Sequence, residues 1–224
     1  MQINIPLKYH KHSNSLSNNN FTLRKNIQLK YVNGSYYITL IWYKVDTVKR
    51  TFGTDIGIDT GYRKLIATSN NQILGNDMPK IYNNIVSKKR NSNNYKKALK
   101  HRDNLVNMYA NMIDTEGVKS IIVEDLHKVK HKSRFNNKVN DKISRWTYRP
   151  LIDKIDRICE DKGIILVKVS PEYTSQTCSM CGSIHKESRQ GDSFKCIDCG
   201  YEIDSDYNAS INIRNKGIYS FHSQ

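Results

Sequence analysis

Four of the five cysteines fall in two CxxC pairs, Cys178-Ser-Met-Cys181 and Cys196-Ile-Asp-Cys199, and this spacing constrains the chain more than any other feature. Each CxxC turn points two thiolates at one position, and two such knuckles close a tetrahedral shell around a metal ion. Disulfide pairing would leave one of the five over, so the pattern reads as a metal site in a reducing compartment. The ion expected at Cys178, Cys181, Cys196 and Cys199 is Zn2+. Four thiolates leave it no open coordination position, which makes it structural. Gly182 and Gly200 follow the second cysteine of each knuckle, where a positive φ closes the ligand turn. His185 is a competing donor, though four thiolates already satisfy the ion. Cys159 lies on the apolar side of a predicted helix and reads as core.

Lys and Arg number 36 against 21 Asp and Glu, a net charge of +15. A basic surface of this size concentrates polyanions, and each neutralised phosphate releases counterions, so DNA or RNA is the expected partner. No run reaches the roughly 18 apolar residues of a membrane span. The first twenty residues lack the apolar stretch of a signal peptide, and the expected location is the cytoplasm, beside the nucleoid in a bacterial host. Oligomeric state is not written in the sequence.

Residues 1–25 are polar and rich in Asn and Ser, the composition of a flexible arm. Residues 26–50 carry two β-branched and aromatic runs around Asn33-Gly34-Ser35, which predicts a β-hairpin. From Gly53 the pattern predicts an antiparallel meander: a strand ending at Asp59, a second over Leu65–Thr68 and a third at Ile73–Leu74. An amphipathic helix is expected over Tyr95–Thr115, a buried strand over Ser120–Glu124, a helix opening near Pro150 and ending before Gly163, and a strand over Ile164–Val169. The order βββ, α, β, α, β predicts a mixed α/β sheet.

Three acids stand out. Asp59 ends the first strand of the meander, Glu124 ends the buried strand, and Asp206 opens the last helical segment, DYNASINIRN. If those two strands are parallel neighbours, Asp59 and Glu124 project into one crevice at their carboxyl ends, where Asp206 could join them. Clustered carboxylates repel one another unless divalent cations lie between them, and oxygen ligands suit Mg2+. The matching chemistry is two-metal phosphodiester hydrolysis. Taken singly, each acid has a plainer explanation as a cap or a solvated strand end.

These same residues carry a resemblance. GIDTG with LIATSN, IIVEDL, and DSDYNASINI resemble, in order, the three RuvC-type nuclease motifs of the OrfB/TnpB-like proteins of insertion sequences, which are relatives of type V CRISPR effector nucleases. PEYTSQTCSMCG followed by FKCIDCGYEIDSDYNASINI resembles their zinc ribbon leading into the last motif. The resemblance covers about Gly53 to Asn215. It implies an RNase H-like, RuvC-type mixed sheet with an inserted four-cysteine zinc ribbon, acting as a Mg2+-dependent, RNA-guided DNA endonuclease. By the same resemblance the metal-binding catalytic acids are Asp59, Glu124 and Asp206; the family spacing of acid, any residue, Asn, Ala selects Asp206 over Asp204.

The resulting map is arm 1–25, hairpin 26–50 as a remnant of an oligonucleotide-binding-like barrel, nuclease core 51–173, zinc ribbon 174–203, last catalytic helix 204–216 and tail 217–224. About fifty residues precede GIDTG, where the family has a barrel and a helical lobe, so the chain reads as shortened at its front. The segment between the first two acids reads as holding one clear helix where the family has a pair. Basic residues expected to touch nucleic acid are Lys88, Lys89 and Arg90 on one side of the crevice and Lys130, Lys132, Arg134 and Arg145 on the other. Phe135, Trp146 and Tyr148 are placed to stack on exposed bases, with packing of the start of the next helix as the alternative for Trp146 and Tyr148. Two further readings stay open: a remnant that binds nucleic acid without cutting it, and a zinc-ribbon adaptor for protein partners.

Overall fold

The computed structural model describes residues 16, 21–44, 46–126 and 147–222, and the chain divides into two compact units, residues 1–47 and 48–224. Lys130, Lys132, Arg134 and Arg145, with Phe135 and Trp146, lie outside the described residues, as does most of the arm.

In the first unit, β1 (Thr22–Val32) pairs antiparallel with β2 (Ser35–Tyr43). Asn33 and Gly34 link them with φ of 49° and 79°, the doubly positive conformation that matches strand twist in a two-residue turn. The register sets Tyr31 opposite Tyr36, Leu29 opposite Ile38 and Ile27 opposite Leu40, and it shifts between Leu23 and Ile27.

The second unit is built on a five-stranded sheet in the order β5-β4-β3-β6-β7. Strands β3 (Thr54–Asp59), β4 (Ile66–Thr68) and β5 (Ile73–Leu74) form the antiparallel meander, and β3 runs parallel to β6 (Val118–Glu124), which runs parallel to β7 (Ile165–Val169). Helices α1 (Met78–Val86), α2 (Asn93–Asn111) and α3 (Tyr148–Lys162) precede a small sheet of β8 (Arg189–Gln190), β9 (Ser193–Lys195) and β10 (Glu202–Asp204), and α4 (Ser205–His222) follows it.

Two expectations are corrected. The segment between the first two acids holds two helices. The first, α1, is short, and Pro79, Asn83 and Asn84 mask its pattern, yet Met78, Tyr82 and Ile85 recur at helical spacing and are buried. Pro79 stands in its first turn, where the missing N–H is harmless. Its successor α2 starts where the Ser92 hydroxyl accepts the Tyr95 N–H at 3.1 Å and stops at Asn111, short of Thr115. The second correction concerns residues 217–222, which continue α4 and are not a tail.

Side chains alternate across a strand, and here the alternation allots two faces. Ile56, Ile58, Ile121 and Val123 join the core formed with Tyr82, Val106, Leu151 and Ile155 of α1–α3. Cys159 lies in that core, where burial pushes its thiol up to about 12. Gly57 and Ile122 point the other way, toward α4. There Ile122, Val169 and Ile213 make a second apolar cluster, each side chain contributing about 1.5–3 kcal/mol by its burial.

Helix α4 lies unusually close to the sheet. A Cβ on Gly57 would come 2.1 Å from the Ser210 carbonyl oxygen, and one on Gly217 would come 2.4 Å from Ile122 Cγ1. Glycine at Gly217 therefore does not end the helix; it lets the helix touch the strand.

Candidate functional site

Ile58 pairs with Val123 across the parallel ladder, so Asp59 and Glu124 follow at the carboxyl ends of adjacent strands. They share the parity of Gly57 and Ile122 and hence face α4. On α4, Asp206 stands four residues before Ser210, seven before Ile213 and eleven before Gly217, the stripe that meets the sheet. The three acids thus converge on one crevice.

Their electrostatics agree. Burial, then the carboxylates of Glu124 and Asp206, push Asp59 from 3.8 up to about 8, against a smaller opposing pull from Arg189. Burial also raises Glu124, partly offset by Thr174, Lys216 and Arg189. The Thr174 hydroxyl donates to Glu124 Oε1, and the Tyr148 hydroxyl donates to the Glu124 carbonyl. Tyr148 is 4% exposed, so it packs the start of α3 and presents no face for a base.

Asp204 and Asp206 have different tasks. Asp204 Oδ1 accepts the N–H groups of Asp206 and Tyr207, both at 3.1 Å, so it caps α4. Burial would raise its carboxyl, but Lys64 and these N–H groups outweigh it and hold Asp204 below the usual range. Asp206, in the first turn, receives Arg189 Nη2 on Oδ1 at 2.8 Å and Lys64 Nζ on Oδ2 at 3.3 Å. Lys64, Arg189 and Thr174 are site residues that sequence reasoning missed.

The cysteine module abuts this crevice. Cys178 and Cys199 sulfurs lie 3.8 Å apart, Cys181 and Cys196 sulfurs 3.6 Å, and all four fall within 4.8 Å of one another. Sulfurs set 2.3 Å from one tetrahedral ion would be about 3.8 Å apart, so the cluster fits Zn2+. Gly182 and Gly200, with φ of 80° and 72°, donate to the Cys178 and Cys196 carbonyls at 2.9 and 3.0 Å. The Cys199 N–H and the Ser183 hydroxyl favour the Cys196 thiolate, pushing it down to about 6. His185 Nε2 faces Asp198 Oδ2 at 3.0 Å, while the sulfurs face one another.

Two buried asparagines of α4 tie the module down. Asn208 accepts the Ser179 N–H at 2.9 Å and donates to the Thr177 carbonyl at 2.8 Å, and Asn212 donates to the carbonyls of Thr174 and Thr177 at 2.9 and 2.7 Å. Lys88, Lys89 and Arg90, by contrast, lie in the exposed turn between α1 and α2.

The fold is shared with CRISPR-associated nucleic-acid complexes. A solved Cas12f1–sgRNA–target DNA complex superposes with a TM-score of 0.55 at 24% identity over 84% of this chain and 55% of that one. A CRISPR-Cas12f ternary complex gives 0.55 at 22%, over 84% and 44%. Residues 148–213 match the family model described as Cas12f1-like, TNB domain. The CRISPR-associated endodeoxyribonuclease Cas12f1 of Sulfoacidibacillus thermotolerans is 44% identical over 44% of this chain and 22% of its own length. A TnpB-like protein of Methanocaldococcus jannaschii is 35% identical over 43% of each. The chain is a TnpB-like relative of the type V effector nucleases. It spans about a fifth of the length of the Cas12f1 relatives, 20–22%. Among the described residues no helix is long and apolar enough to cross a membrane.

Proposed function

We propose that this chain is the RNase H-like, RuvC-type catalytic part of a DNA endonuclease, with Asp59, Glu124 and Asp206 as its metal-binding acids. The observation that carries this reading is the convergence of three acids from β3, β6 and α4 on one crevice, where burial first and then the carboxylates of Glu124 and Asp206 raise Asp59. A set of hard oxygen donors that cannot all ionise alone fits Mg2+. Mg2+ bound there would activate a water for attack on a phosphodiester and stabilise the leaving oxygen. The chain's own residues prepare the crevice: Thr174 steadies Glu124, the Asp204 cap fixes the first turn of α4, and Arg189 supplies positive charge where a phosphate would arrive.

Residues 51–173 together with α4 form the nuclease core in this reading, 174–203 the zinc ribbon with its ion on Cys178, Cys181, Cys196 and Cys199, and 26–50 the barrel remnant. Lys88, Lys89 and Arg90 attract phosphate without reading sequence. Target DNA and a guide RNA are the proposed partners, supported by the complexes that share the fold.

The test is purification of the zinc-loaded chain with its accompanying nucleic acid, sequencing of that nucleic acid, and incubation with a matching target in Mg2+ or Mn2+. Cleavage is expected from the wild type and is expected to vanish in Asp59→Ala. Equal behaviour of the two proteins refutes the reading. Salt-sensitive binding without turnover supports a non-cleaving binder in its place.

A further inference from the structure

Each acid of the crevice leans on the rest of the molecule differently, and Lys64 is the contact with no role so far. It stands at the end of the turn that follows Asp59, and its carbonyl accepts the Gly61 N–H at 3.1 Å. Leu65 beside it is fully buried, so the turn is pinned on both sides. From there the Lys64 side chain, 16% exposed, reaches 140 residues along the chain to place its ammonium 2.5 Å from Asp204 Oδ2 and 3.3 Å from Asp206 Oδ2. An ammonium has three donors, and two of them serve one cap and one candidate metal ligand.

Asp204 is not free to follow Lys64. Its Oδ1 already holds two N–H groups of the α4 first turn, so the ammonium is fixed against the helix end. Asp206 is thus steadied from two sides, by Arg189 of β8 on Oδ1 and by Lys64 of the β3–β4 turn on Oδ2. Every carboxylate oxygen has two lone pairs, so Oδ2 can accept the ammonium and still offer a lone pair to a cation.

We propose that Lys64 is a positioning residue of the acid crevice: anchored on Asp204, it holds the Asp206 carboxylate in the orientation that binds a divalent ion together with Asp59 and Glu124. This rests on the metal-binding reading of the three acids given above. Partners of this kind, which orient a ligating carboxylate without touching the metal, typically change metal affinity by about 10–100-fold when removed.

The two possible roles of Lys64 predict opposite signs. Removing a bystander cation 3.3 Å from a ligand oxygen would tighten divalent binding, whereas removing a positioning residue weakens it. The experiment titrates the zinc-loaded, nucleic-acid-free full chain with Mn2+ by electron paramagnetic resonance, taking as signal only the binding that Asp59→Asn abolishes. Lys64→Met is expected to weaken that site about 10-fold or more, and Lys64→Arg to restore most of the loss.

A second variant covers a failure of Lys64→Met to fold. Asp204→Asn keeps a good helix cap but loses the charge that anchors Lys64, and it is expected to weaken Mn2+ as well. Unchanged or tighter binding in the folded Lys64→Met, or wild-type binding in Asp204→Asn, overturns the proposal and leaves the metal-binding acids standing. If the wild type shows no Asp59-dependent Mn2+, the acid reading falls and takes this one with it. If Mn2+ binds and depends on Lys64 while no target is cleaved, the positioning role stands and hydrolysis is refuted.

Discussion

Gly217 is expected to behave in a way that helix propensity alone would get backwards. At an interior helical position with no special contact, Gly→Ala stabilises by up to about 1 kcal/mol. In this structure the new methyl would come 2.4 Å from Ile122 Cγ1 and 2.8 Å from Cγ2, about 0.7–1.6 Å inside the usual carbon–carbon contact of roughly 3.5–4.0 Å. Overpacking a fully buried site costs about 1–3 kcal/mol, so Gly217→Ala should be destabilising by about 1–2 kcal/mol net. Urea unfolding of the zinc-loaded chain at fixed pH measures it. The clash is with a side chain, so Ile122→Ala, itself costing about 2–5 kcal/mol, should make the Gly217 change favourable again, a coupling of about 1–3 kcal/mol. Gly57→Ala meets backbone atoms, Ser210 O at 2.1 Å and Arg214 N at 2.5 Å, and trimming a side chain should not rescue it. A Gly217→Ala protein more stable than wild type, or a cycle without coupling, would refute the close seating of α4.

Two further outcomes follow from the site. Folded Asp59 keeps its proton to about 8 while the unfolded chain releases it near 4, so the folded state binds more protons between these values and stability falls as pH rises. The slope is at most about 1.4 kcal/mol per pH unit; urea midpoints from pH 5 to 7.5 without added Mg2+ should decline, and a steady rise would contradict the raised titration of Asp59 in the crevice. Cys196→Ser should lower zinc content well below one ion per chain and reduce the thermal midpoint, whereas Cys159→Ala should retain full zinc by atomic absorption; the reverse pattern would remove Cys196 from the ligand set.

Much of this was legible before any coordinates. Asp59 and Glu124 end β-branched runs, and their carboxyl ends come side by side once those strands are parallel neighbours, a pairing that the coordinates supply; the doubled CxxC spacing has few other uses. The fate of Gly217 was not legible, because a glycine that ends a helix and one that lets a helix touch a strand look alike until the strand is known. Helix α1 hid behind Asn83 and Asn84, poor helix formers that tertiary burial of Tyr82 and Ile85 overrides. Lys64 and Thr174 were invisible for another reason: their partners lie 140 and 50 residues away, and nothing local marks one lysine among the chain's many cations.

Strand β10 ends at Asp204 and α4 begins at Ser205, so the polypeptide passes from one to the other without slack. Any tilt of the cysteine-bearing lobe is then delivered undamped to the bearing of Asp206. For anyone splicing such lobes between related chains, the exchangeable piece is consequently longer than the lobe itself: a seam cut at Asp204 would import a new pitch, whereas one placed beyond Gly217 would carry strand, helix and acid across as a single cassette.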